Sequence, residues 1–118
     1  MKKLEAFIEP AQFDALKVAL LSHGVVSIAA SPLRRYGSAQ VRKEFYRGMD
    51  VIIDYRDELK LELTLFEHQV ANVIDVIQAA SPKARIALFD MVNIAGYSAA
   101  EEAGAPDRQP AASLRIAS

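Results

Sequence analysis

The sequence predicts an α+β domain in the order strand, helix, strand, strand, helix, strand. Two observations carry that prediction. Apolar residues alternate at the two-residue period in residues 2–8 and 59–65, and after each of these runs they recur three and four apart. A third observation adds a distinguishing feature, a long charged and aromatic segment between the second and third strands. At 118 residues the chain reads as one domain. A domain of this size buries only about two-thirds of its unfolded surface, so its core is thin and association with copies of itself would add to it.

In residues 2–8, Leu4, Ala6 and Ile8 share one face of a first strand. Pro10 suits a first helical turn, where the N–H it lacks would have no partner. Phe13, Leu16 and Leu20 then form the stripe of an amphipathic helix, with Gly24 as its C-terminal cap. Residues 25–33 are rich in β-branched and small side chains and give a second strand up to about Pro32, which needs a strand edge or end because it cannot donate to a ladder. Residues 51–55 (VIIDY) belong with the next strand, interrupted by the polar Arg56-Asp57-Glu58. Leu59, Leu61, Leu63 and Leu65, alternating with Lys60, Glu62 and Thr64, make the strongest strand in the chain. The Lys60, Glu62 and Thr64 row is suited to solvent or to a second subunit. Val70, Val73, Ile74 and Ile77 line a second helix, with Glu67 at the positive end of its dipole. Pro82 ends it, and residues 84–92 form a last apolar run of strand length. This is the split βαβ or ferredoxin-like order. It assigns residues 1–95 to the domain and residues 96–118, which mix alanine, proline and charge, to a flexible C-terminal tail.

Fourteen basic against fifteen acidic side chains, a net charge of −1, argue against a nucleic-acid binder. Without cysteine there is neither a disulfide frame nor a thiolate metal site. No segment approaches the ~18 apolar residues of a membrane span, so no membrane insertion is expected and a cytoplasmic location is the default. His23 and His68 read as surface residues rather than metal ligands. No nucleophile with its base, no carboxylate pair and no glycine-rich phosphate loop is legible, so the chain does not read as an enzyme. Lys83 and Arg85, beside Pro82, form either a small anion patch or a solvated basic turn. Arg34, Arg35, Arg42, Lys43 and Arg47 are a denser cluster, broken by Glu44 and Asp50. The segment from Tyr36 to Asp50 is too long for a hairpin turn and reads as a functional loop. Its adjacent Phe45 and Tyr46, flanked by arginines, are of the kind that anchor interfaces.

The opening MKKLEAFIEP, the Gly24-Val25 junction, Tyr36-Gly37, the run EFYRGMDVIIDY and the KLEL strand resemble, in register over residues 1–80, the PII signal-transduction (nitrogen regulatory) family. Glu44, Tyr46, Arg47 and Gly48 match that family's T-loop, the long loop that grips target proteins. The resemblance implies a homotrimer of ferredoxin-like subunits whose T-loops, here about 36–50, dock on a protein target, a membrane transporter or an enzyme. Arg42, Lys43, Glu44, Phe45, Tyr46, Arg47 and Gly48 would make that contact. It also implies a small-molecule effector between subunits, a nucleotide or small anion, for which Gly37, Gln40, Lys83 and Arg85 are the candidate contacts.

The departures from the family are specific. Ala39 stands where the family has a glutamine that helps bind 2-oxoglutarate, with Gln40 next to it, and Glu58 stands where it has a lysine paired to the same ligand, a reversal of charge that should repel a dicarboxylate. Val51 replaces the modified tyrosine. The glycine-rich B-loop that wraps ATP phosphates is replaced by the shorter Ser81-Pro82-Lys83-Ala84-Arg85, and Gly96 and Ser98 replace two arginines of the nucleotide site. These changes weigh against ATP or ADP, and more strongly against Mg-ATP with 2-oxoglutarate, and leave the effector unidentified. The expected function is that of a non-catalytic trimeric regulator whose T-loop responds to a small ligand. The alternative is a trimer that binds a small anion or metal ion without a protein target.

Overall fold

The computed structural model describes residues 1–97; residues 98–118, Ser98 and most of the expected tail among them, lie outside the described residues. The elements are β1 (Lys2–Ile8), α1 (Phe13–Ser22), β2 (Ala29–Tyr36), β3 (Arg42–Tyr46), β4 (Met49–Ile53), β5 (Tyr55–Leu65), α2 (Val70–Ala80) and β6 (Arg85–Asp90). Strands β2, β5, β1 and β6 lie side by side in that order, each pair antiparallel, as the ferredoxin-like order requires. Strands β3 and β4 form a separate two-stranded sheet.

The two-residue alternation decides which face of the main sheet is buried. Leu4, Ala6 and Ile8 of β1 and Leu61, Leu63 and Leu65 of β5 meet Leu16 and Leu20 of α1 and Val73 and Ile77 of α2. Each fully buried leucine contributes about 1.5–3 kcal/mol relative to an exposed one. Phe13, Val70 and Ile74 pack at the margin of this core. The opposite face carries charge. Glu5 and Glu62 sit directly opposite each other, an arrangement that repels, and both Lys3 and Lys60 approach the pair. Lys3 Nζ lies 3.7 Å from Glu5 and 3.5 Å from Glu62, and Lys60 Nζ 3.6 Å and 3.1 Å from the same carboxylates. The alternating signs close into a quartet, so the face is polar without being uncompensated.

Three sequence expectations change. β2 runs on past Pro32 to Tyr36, and of the two positions open to that proline it takes the edge rather than the end, since the N–H groups on the outer side of an edge strand have no ladder partner to lose. The break between the third and fourth predicted segments falls at Asp54, not at Arg56-Asp57-Glu58, which continue β5 opposite Arg35, Arg34 and Leu33. Their polar side chains find partners across the ladder, Arg34 Nε to Asp57 Oδ1 at 3.5 Å and Arg35 Nε to Glu58 Oε1 at 2.8 Å, so polarity does not interrupt the strand. Finally, residues 36–50 are not an irregular loop. Most of the segment is the first strand and turn of the β3–β4 hairpin, whose second strand recruits Val51-Ile52-Ile53.

Candidate functional site: an arm and the cleft at its root

The antiparallel order brings the C-terminal ends of β1 and β2 and the N-terminal ends of β5 and β6 to one end of the sheet. The hairpin leaves from that same end, since it lies between Tyr36 and Tyr55. The molecule measures 57 Å along its longest axis and 27 Å along the other two.

The hairpin turns at Arg47-Gly48, where φ is 52° and 79°. Positive φ at both central residues is what a type I′ turn needs, and this turn matches the right-handed twist of the paired strands. Register then sorts the side chains. Arg42, Glu44, Tyr46, Met49, Val51 and Ile53 share one face, and Lys43, Phe45, Asp50 and Ile52 share the other. On the second face Lys43 reaches Asp50 at 3.9 Å along one diagonal, while Phe45 and Ile52 occupy the other diagonal, 74% and 65% exposed. Tyr46 and Met49 are likewise exposed, and the Arg47 guanidinium lies 5.2 Å over the Tyr46 ring.

The root is tied more firmly. Tyr36 and Tyr55 are the last pair of β2 and β5, their rings 5.8 Å apart, with the Arg34 guanidinium 4.2 Å over Tyr55. Arg42 donates from Nη1 to the Tyr55 carbonyl at 2.7 Å and from Nε to Glu44 at 2.6 Å. Gly37 links the ladder to the arm with φ 152° and ψ 167°, a region open essentially to glycine alone.

Beside this root is a cleft of 180 Å³. β2 supplies Arg35, β5 supplies Arg56 and Glu58, the α2–β6 connection supplies Ser81 and Lys83, and the first residue of β6 is Arg85. Phe7 and Glu9 close it from the end of β1, and Gln40 from the start of the arm. Its charge is four cations against two carboxylates. Glu58, whose side chain is 12% exposed, accepts from Arg35 Nε at 2.8 Å and from Arg85 Nη2 at 3.5 Å on the same oxygen. Both guanidiniums also stack over Phe7, 5.0 Å and 5.1 Å from its centroid. Ser81 is buried and donates its hydroxyl to Gln12, which holds the start of the connection against the β1–α1 turn. Among the described residues no carboxylate lies within ion-pair distance of Arg56 or Lys83. The Gln40 Oε1 is buried without a hydrogen-bond partner, an unsatisfied acceptor of the kind that costs about 1–3 kcal/mol.

Of the residues singled out from sequence, Gln40, Lys83 and Arg85 come together in the cleft, although they are far apart in the chain. Gly37 stands at the arm root and does not line it. Lys43, Phe45, Tyr46, Arg47 and Gly48 form the outer arm, whereas Arg42 and Glu44 face one another and engage the root. Sequence reasoning did not connect Arg35 or Ser81 to the cleft, passed over Arg56 as part of a polar interruption, and took Glu58 only as a charge that repels anions. The missed signal was alternation: Arg56 and Glu58 continue the row of Lys60 and Glu62, and extending the strand upstream places them on the polar face.

The chain is 37% identical over 81 residues to the nitrogen regulatory protein P-II of Nostoc punctiforme, covering 69% of this chain and 72% of that protein. The namesake from Synechocystis sp. is 36% identical over the same span and coverage. That from Bradyrhizobium diazoefficiens is 34% identical over 86 residues, 73% of this chain and 77% of the relative. No family model matches the chain. Identity at this level, over more than two-thirds of both partners and joined to the ferredoxin-like sheet, shows that the chain belongs to the nitrogen regulatory P-II family, a family of regulators rather than enzymes.

Proposed function

We propose that this protein is a homotrimeric regulator that presents its β3–β4 arm to a protein target, a membrane transporter or an enzyme, and that a small anion in the cleft at the arm root sets the arm's conformation. The observation that carries the reading is the exposed apolar diagonal of Phe45 and Ile52 on an arm rooted beside a cationic cleft. Exposed aromatics flanked by arginine are the residues that dominate binding energy at interfaces. The cleft can bias the arm because Arg35 lies two residues before Gly37 and Gln40 three after it. A ligand that contacts either changes the balance between arm conformations only as far as it binds them unequally. The half-buried Lys3, Glu5, Lys60 and Glu62 face is the surface on which subunits would meet. On the same reading, residues 1–95 are the PII-like domain, residues 96–118 a tail outside it, and the protein works in the cytoplasm; among the described residues no helix is long and apolar enough to cross a membrane.

The test replaces Phe45, Tyr46 and Arg47 together by alanine and compares capture of proteins from membrane and soluble fractions of the source cells. The wild type should retain a target that the triple variant loses, with both proteins trimeric by light scattering and equal in melting temperature. Equal capture by the two would remove the arm from the mechanism. No specific capture by either, with anion binding intact, would favour the alternative of an anion-binding trimer without a protein target.

A further inference from the structure

We infer that the apolar groove between α1 and α2 is a docking site for this chain's own residues 113–116, which lie outside the described residues. The groove belongs to the helix layer, and neither the arm nor the cleft at its root draws on it. Ala19 of α1 and His23, one turn further on, stand across from Asp75, Val76, Ala79 and Ala80 of α2 around a space of 450 Å³. Alanines and a valine make its walls apolar. Asp75 places a carboxylate on the rim, and among the described residues no cation lies within ion-pair distance of it. The groove fits an occupant with aliphatic side chains and a positive charge beside them.

The chain supplies such a segment, and its described part ends close by. Tyr97 lines a pocket together with Ser27 and Ala29, and Ser27 follows His23, at the mouth of the groove, by four residues. Four residues span at most about 14 Å. Residues 98–113 then form a tether that reaches on the order of 50 Å when extended, against 27 Å for each short axis of the molecule. Beyond Tyr97, Leu114 and Ile116 are the only large aliphatic side chains. Residues two apart share one side of an extended segment, so both can enter the groove together. Arg115 stands between them, and residues 108–118 hold two arginines and no carboxylate side chain. With the pair seated, Arg115 can reach Asp75 at the rim along its flexible stem. Contacts this few would be weak between separate molecules. A tether raises the effective concentration to about millimolar, which favours this segment over a separate protein.

The experiment uses the full-length chain, whose lack of cysteine makes an introduced thiol a clean reporter. Ala79→Cys places one in the groove, and Ala71→Cys places a control near the other end of the same helix; both positions are exposed in the described residues. Replacing Leu114 and Ile116 by serine should speed iodoacetamide alkylation of Ala79→Cys about fivefold, the gain for a site covered roughly four-fifths of the time. Arg115→Gln should speed it about twofold, and neither change should alter the rate for Ala71→Cys. An Ala79→Cys rate that the serine pair does not change overturns the docking. As a second measurement, Ala79→Cys combined with Ile116→Cys is oxidised with glutathione disulfide. A disulfide within one chain, formed faster than from Ala71→Cys with Ile116→Cys, supports the proposal. Equal rates from the two positions, or a disulfide that joins two chains, overturn it, the last in favour of a neighbouring copy as the occupant.

Discussion

The β1–β5 and β3–β4 pairs are both antiparallel ladders in register, yet they belong to opposite ends of the stability scale. In the first, every second residue is sealed under two helices, with Leu4, Ala6 and Leu61 fully buried. In the second, β3 is exposed throughout and, in β4, Val51 and Ile53 are no more than half-buried among the described residues. A lone two-stranded hairpin is marginal in water, so the arm owes its shape to the type I′ turn and to the Arg42 contacts at its root rather than to a core. Pairing sets the geometry of both ladders; burial decides which is rigid. The regulatory element lies where local opening costs least, which is where a conformational equilibrium can be moved by a ligand.

That contrast breaks most visibly in the core. Leu61→Ala should cost about 2–5 kcal/mol in denaturant unfolding, because Leu61 is fully buried between sheet and helices and its loss leaves a cavity. Next comes the root. Gly37→Ala forces a side chain into a glycine-only backbone region and should cost about 1–3 kcal/mol, but the loss should be local. Amides of β3 and β4 should exchange faster while those of β1 and β5 keep their protection. If β1 and β5 lost protection equally, arm and core would be one cooperative unit and the comparison would fail. Smaller still, Phe45→Ala should leave unfolding free energy within about 0.5 kcal/mol of wild type, since this exposed side chain has no core to leave.

The pH dependence should be weakest. Hydrogen bonds from Lys60 and Lys2 hold Glu62 and Asp90 below the usual carboxylate range. A carboxyl with a lowered folded-state pKa stabilises the fold above its unfolded value, and that contribution disappears as pH falls below about 4. Lys60 and Lys2 are shifted upward by the same contacts, so their share persists at neutral pH and is lost only above the ordinary lysine range. Thermal melts at pH 7 and pH 3 should differ modestly; 0.5 M salt should shrink the share of the exposed Lys2–Asp90 pair, while the share of Glu62 should resist salt in the proposed trimer, where that face lies between subunits. A salt-insensitive difference would mean that the charged sheet face is shielded, as in an assembled oligomer.

Much of the fold is legible in the order of residues. Strand β1 begins and ends where its alternation does, and the leucine row of β5 points to the core as its period demands. The hairpin is harder to see. Its turn uses Arg47 at a positive-φ position that Asn or Asp usually fills, so the usual sequence sign of a type I′ turn is missing. The cleft is harder again: Arg35, Glu58 and Arg85 are separated by 23 and 27 residues in sequence, and no local pattern says that two arginines on two strands share one oxygen of Glu58 on a third and the Phe7 ring on a fourth.

The sequence by itself determined the ferredoxin-like order, the identity of the core and the membership of the family, because periodicity and composition act through neighbours along the chain. Only tertiary structure decided that the arm is a hairpin, that Arg42 ties it down, and that Glu58 is neutralised rather than repelling. Those outcomes depend on distances across strands, where a charge is repulsive or compensated according to what the fold places a few ångströms away.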